Sequence, residues 1–149
     1  LFATPFTAGL VRRKLEEAGL EKDVQLNIIP NEGSFDLGPF DFRYIPIAHS
    51  IAEGNAMLID TPYGRIFHTG DWKLDDEPLL GVPATPEQLT AIGDEGILAM
   101  VCDSTNVFNE NASGSEGDVR RNLMRVVEDI RTRVIVTTSG SWSPVLKFG

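Results

Sequence analysis

The chain has 149 residues, 42 % of them hydrophobic, and its 22 acidic against 13 basic side chains give a net charge of −9. That length suffices for one core of ordinary domain size. The charge excludes the broad cationic surface of a non-specific nucleic-acid binder, though not a nuclease whose bound metal ions bring positive charge into the site.

Leu1 opens the chain without a preceding Met, and LFATPFTAGL runs at once into strand-like and helix-starting sequence, so the chain reads as an excerpt of a longer protein. Thr7 to Ala18 has the spacing of an amphipathic helix with Leu10, Val11 and Leu15 inward and Gly19 as its stop. Val24 to Ile29 predicts a strand, and Asn31-Glu32-Gly33-Ser34 supplies turn chemistry before the next. Three strands are then predicted, over Phe40 to Ile47, Asn55 to Asp60 and Arg65 to His68. Thr61-Pro62-Tyr63-Gly64 suits a type I turn, so the last two form a hairpin and the first and third point the same way. His49 and Asp71 therefore leave the sheet at one rim. Further on, Thr85, Pro86 and Gln88 mark the start of a short helix ending near Gly93. ILAMVC, over Ile97 to Cys102, predicts a strand buried on both faces with Cys102 as a buried small hydrophobe, delivering Asp103 to a strand end.

Asn106 to Gly117 is rich in Asn, Ser and Gly and reads as a connecting loop or domain boundary. Ser115 and Asp118 form a capping-box pattern ahead of a helix with Val119, Leu123, Val126, Val127 and Ile130 on one face, followed by a strand over Arg133 to Thr138. The fold class is α/β or α+β, with the organisation changing near residue 115. No run approaches the ~20 apolar residues of a membrane span, nothing resembles a signal peptide, and the lone Cys102 excludes an internal disulfide, so the cytoplasm is the expected compartment.

An imidazole and a carboxylate at one rim are ligand types for Zn²⁺ or Mn²⁺. Taken alone, His49 is open to a structural role, and Asp71 to bonding nearby backbone amides. His68 lies along its strand as a neighbour and stays outside the candidate site. Asp103, followed by Ser104, Thr105 and Asn106, reads either as a self-capping turn or as a carboxylate supporting a ligand histidine. No G-x-S-x-G elbow and no G-x-x-x-x-G-K-[ST] loop occurs, which removes a serine hydrolase and a P-loop nucleotide binder.

ATPFTAGLVRRKLEE, AHSIAEGNAMLIDTPYGRIFHTGDWKLD and VCDSTN, at these spacings, resemble the ribonuclease J family, in the β-CASP branch of the metallo-β-lactamase superfamily. The resemblance runs over residues 1 to 138. It implies a partial αββα metallo-β-lactamase fold over residues 1–116, leading into the start of a β-CASP domain over 117–149 with an atypical tail at 139–149. By the same resemblance His49 is a metal-binding histidine, Asp71 a catalytic carboxylate bridging a pair of zinc ions, and Asp103 a catalytic carboxylate that supports the histidines without binding metal. Mn²⁺ or Mg²⁺ are alternatives to zinc. The implied reaction is hydrolysis of RNA phosphodiesters, exonucleolytic from the 5′ end and endonucleolytic, by a metal-activated water, in a full-length homodimer or tetramer. The family's H-x-H-x-D-H cluster is absent, since His49 and His68 are the only histidines, so the chain by itself is expected to be inactive. Alternative readings are another β-CASP nuclease, acting on DNA or on messenger-RNA 3′ ends, and a non-catalytic remnant serving as a pairing module.

Overall fold

A computed structural model describes residues 1–111 and 113–135. In chain order the elements are β1 (Phe2–Ala3), α1 (Pro5–Ala18), β2 (Asn27–Ile28), β3 (Ser34–Leu37), β4 (Phe40–Pro46), β5 (Asn55–Thr61), β6 (Gly64–His68), α2 (Pro86–Asp94), β7 (Ala99–Val101) and α3 (Glu116–Asp129). The main sheet is mixed, in the order β3-β4-β5-β6-β7, antiparallel except for the parallel β6–β7 pair. Strands β1 and β2 pair separately and in parallel. Thr61 pairs with Gly64 across the Pro62-Tyr63 turn, in which neither residue has a positive φ, as a type I turn requires.

Side-chain alternation assigns the two faces. On one, Ile45, Ile47, Ala56 and Leu58 form a buried cluster covered by Phe67, Trp72, Ala84, Ile97 and, from α2, Leu89 and Ile92. Leu89 and Ile92 are three residues apart, so a single helical stripe docks on the sheet. On the other face Phe2 stacks on Phe35 at 4.3 Å, and Phe35 on Phe42 at 4.8 Å, which fastens the β1–β2 pair across β3 and β4. Both capping boxes form: Thr85 with Gln88 for α2, Ser115 with Asp118 for α3. Gly19 ends α1 in the left-handed region, at φ 69.

Several expectations need correction. Strand β3 begins at the last residue of the Asn31–Ser34 turn, in a stretch where the sequence predicts no strand; Gly38, at φ 61 and followed by Pro39, supplies the tight turn that folds this short segment back on β4. The helix begins two residues earlier, at Pro5, and the inward residues of α1 are Ala8, Val11 and Leu15, three and four residues apart on one face, which leaves Leu10 exposed beside it. The ILAMVC strand exists, as β7, but it is exposed rather than buried on both faces, with Met100 at 54 %. It has β6 on one side only, and no described element covers its outer edge. Cys102 is exposed too. On α3, Leu123 and Val127 are half-buried, whereas Val119, Val126 and Ile130 are exposed. Arg133, Val134 and Ile135 are not in a strand; the rest of that predicted strand and the tail at 139–149 lie outside the described residues.

Candidate functional site

Strands β4 and β6 are both antiparallel to β5, so they run the same way, and β7 runs parallel to β6. The segments that follow them emerge together. His49 follows β4, Asp71 follows β6 and Asp103 follows β7. His49 Nε2 stands 3.5 Å from Asp71 Oδ2, with the imidazole 39 % and the carboxylate 79 % exposed. A bridge between Ala48 and Lys73, in which the Lys73 amide donates to the Ala48 carbonyl at 2.9 Å, locks the two loops beside that pair.

Thr69 organises the rim. It is 1 % exposed, its amide donates to the Val101 carbonyl at 2.9 Å, and its hydroxyl donates to the Gly70 carbonyl while accepting the Asp103 amide at 3.1 Å. Trp72 Nε1 donates to the Asp103 carbonyl at 3.1 Å. Gly70, at φ 60, turns the chain so that Asp71 faces out, and its amide donates to His68 Nδ1 at 3.0 Å. His68 thus shapes the loop as a neighbour of Asp71. Thr69 and Trp72 carried no motif signal as supports of Asp103, since their role depends on pairing between β6 and β7.

The Asp103 carboxylate accepts the Thr105 hydroxyl at 2.5 Å and the Thr105 amide at 2.9 Å. These two bonds make the turn self-capping. The Thr105 hydroxyl first, then its amide, hold the Asp103 carboxyl below its usual range, with a smaller contribution from the nearby His49 ring. An open cavity of about 850 Å³ joins these residues, and its walls are two stretches of chain: Asp71 to Leu74, and Cys102 to Val107 with Asn109, Asn111 and Ser113.

Two ligands bound to a tetrahedral zinc at ~2.1 Å stand about 3.4 Å apart. The 3.5 Å between His49 Nε2 and Asp71 Oδ2 fits one edge of such a site. Among the described residues no group of three or more His, Cys, Asp or Glu converges in a way that could hold a metal ion, so the pair offers an edge and not a full coordination shell.

No protein-family model matches the chain. A crystal structure of a protein of unknown function from Enterococcus faecalis V583 is similar in fold, with a TM-score of 0.62 at 19 % identity over 91 % of this chain and 35 % of that one. Ribonuclease J of Sinorhizobium meliloti is 38 % identical over 141 residues, that of Corynebacterium glutamicum 40 % over 142, and that of Thermus thermophilus 34 % over 143. Each alignment takes in 95 % of this chain, which spans 25 %, 19 % and 25 % of the respective relatives. Over nearly its whole length the chain is therefore homologous to ribonuclease J, across a segment amounting to a fifth to a quarter of those proteins.

Proposed function

We propose that this sequence forms part of the catalytic face of an RNA-hydrolysing enzyme of the ribonuclease J type, acting as exonuclease from the 5′ end and as endonuclease. The observation that carries the reading is the approach of His49 and Asp71 to 3.5 Å at a common rim, from segments more than twenty residues apart that bear the HSI and HTGD motifs. In this reading residues 1–116 are the latter part of an αββα metallo-β-lactamase domain and 117–149 begin a β-CASP domain.

His49 and Asp71 would hold zinc, or Mn²⁺ or Mg²⁺, together with ligands from outside the described residues. The bound metal would supply a nucleophilic water at neutral pH and charge neutralisation at the phosphoryl oxygens. The chain's own residues do the placing. Lys73 and Ala48 hold the two ligand loops in register, and Thr69 and Trp72 keep the Asp103 turn against the rim. Asp103, held ionised by Thr105 and close to His49, adds negative charge that favours a cation at this edge.

The test is RNA cleavage by the full-length protein that carries this sequence, with bound metal measured alongside. His49→Ala and Asp71→Ala are each expected to lower kcat by about 10³-fold or more and to reduce metal content. Wild-type cleavage by either variant would remove the reading. A panel of RNA and DNA substrates separates ribonuclease J chemistry from that of other β-CASP nucleases.

A further inference from the structure

Asp75 is a charged side chain shut away from water, 1 % exposed, and the proposed chemistry gives it no task. Its Oδ2 accepts Lys73 Nζ and the Glu116 amide, each at 2.9 Å, and its Oδ1 accepts the Glu77 amide at 2.9 Å. Burial alone would push the carboxyl up; the Lys73 ammonium and the Glu116 and Glu77 amides outweigh it and hold the group below the usual carboxylate range. Glu116 is the first residue of α3, so this carboxylate sits where helix amides lack internal partners and the helix dipole favours negative charge.

Reciprocal contacts complete the link. Glu116 Oε2 accepts the Leu79 amide at 2.8 Å, and the Gly117 amide donates to the Glu77 carbonyl at 3.2 Å. A Cβ on Gly117 would run into the Glu77 carboxylate, so a side chain there would force the end of Glu77 to shift away from Arg121. Arg121 binds Glu77 at 2.7 Å and Asp118 at 2.6 Å over the outside of the junction. The placement gives the link a consequence. Asp75 directly follows the lining stretch Asp71 to Leu74 of the 850 Å³ cavity, and Glu116 comes three residues after the lining residue Ser113, so the link ties together the two stretches of chain that form the cavity's walls without itself lining it.

We propose that Asp75 is a positioning residue: by fastening the N-terminus of α3 to the loop that carries Asp71, it fixes the separation of the two cavity walls and hence how an RNA strand is held against His49 and Asp71. This rests on the RNA-hydrolysing reading of the cavity. A carboxylate is required, because three donors converge on its two oxygens and an amide would turn its own N–H₂ toward a donor in either orientation.

The experiment measures kcat and KM on single-stranded RNA for the full-length protein and its Asp75→Asn and Arg121→Ala variants, well below their unfolding midpoints, with metal content alongside. Displacing a wall without touching the ligands is expected to lower kcat of Asp75→Asn by about 10- to 10²-fold, with KM within about twofold and metal content unchanged. Arg121→Ala, which removes only the half-exposed outer bridge, is expected to lower kcat by about two- to threefold. A folded Asp75→Asn variant that melts earlier yet keeps wild-type kcat overturns the proposal, since the link is then structural alone. If Asp75→Asn does not fold, Arg121→Ala decides, and an unchanged kcat there overturns it. His49→Ala and Asp71→Ala serve as controls: wild-type cleavage by those variants brings down the RNA-hydrolysing reading and the proposal with it, whereas their inactivity beside a fully active Asp75→Asn brings down the proposal alone.

Discussion

Leu58 and Thr69 are the largest side chains fully closed off from solvent among the described residues, and they do different work. Leu58 fills the centre of the cluster under α2, so Leu58→Ala should cost about 2–5 kcal/mol in chemical denaturation, the usual range for a truncation that leaves a cavity. Thr69 holds the rim by hydrogen bonds. Thr69→Val keeps the volume but strands the Asp103 amide, and should cost about 1–3 kcal/mol, while Thr69→Ser should lose less because the hydroxyl remains. Loss of protection at the Asp103 amide in hydrogen exchange would locate the effect. His49 and Asp71 were legible from strand direction alone, because two strands flanking a common antiparallel partner must deliver their ends to the same side. Thr69 was not, since its partners arrive from β7, more than thirty residues on.

At the scale of elements, local chemistry wrote the helix starts and stops into the sequence. Thr85 with Gln88, Ser115 with Asp118, and Gly19 each satisfy helix-end groups using neighbours within a few residues. Strand β3 is not legible in the sequence because Ser34–Leu37 is hemmed in by the turn residues Gly33, Gly38 and Pro39 and becomes a strand through pairing with β4. The junction of α3 with the Asp75 loop joins residues some forty apart, and it carries a pH prediction. The folded state depresses the Asp75 carboxyl, so it favours the ionised form. Its contribution to stability is whole above the ordinary carboxylate pKa of ~4 and is lost as the pH falls through the lower folded value. Thermal unfolding should therefore show wild type ahead of Asp75→Asn at about pH 6, with the gap closing toward about pH 2. A gap independent of pH would mean that the charge of Asp75 contributes nothing.

On the scale of the whole molecule, the sheet has one well-covered side and one open end. Leu98, Met100 and Val101 are exposed on or beside β7, and Val119, Val126 and Ile130 line an uncovered stripe of α3. An exposed apolar strand at a sheet edge is a template for pairing with another chain. The 149-residue chain by itself should self-associate with rising concentration in sedimentation velocity, and Met100→Lys with Val101→Lys should shift it toward monomer. Unchanged association in that double variant would place the contact elsewhere. Because His49 and Asp71 form one edge of a coordination shell, the same chain should take up zinc only weakly and cleave no RNA. Stoichiometric zinc in a washed sample would show that the edge is enough.

The sequence by itself determined what depends on near neighbours and on strand direction: the central hairpin, the helix caps, and the shared rim that brings His49 to Asp71. Those follow from turn geometry, capping and the two-residue period of a strand, all of which act within a few residues. Only the tertiary structure decided burial and long-range support. An apolar run such as ILAMVC states that its residues prefer to leave water, not which element covers them, and here β7 lies at an edge. The same holds for the buried charge of Asp75. Its sequence neighbourhood, KLDDEP, holds two of its donors, the Lys73 ammonium and the Glu77 amide, yet reads as a solvated acidic turn; only the docking of α3 brings the third, the Glu116 amide.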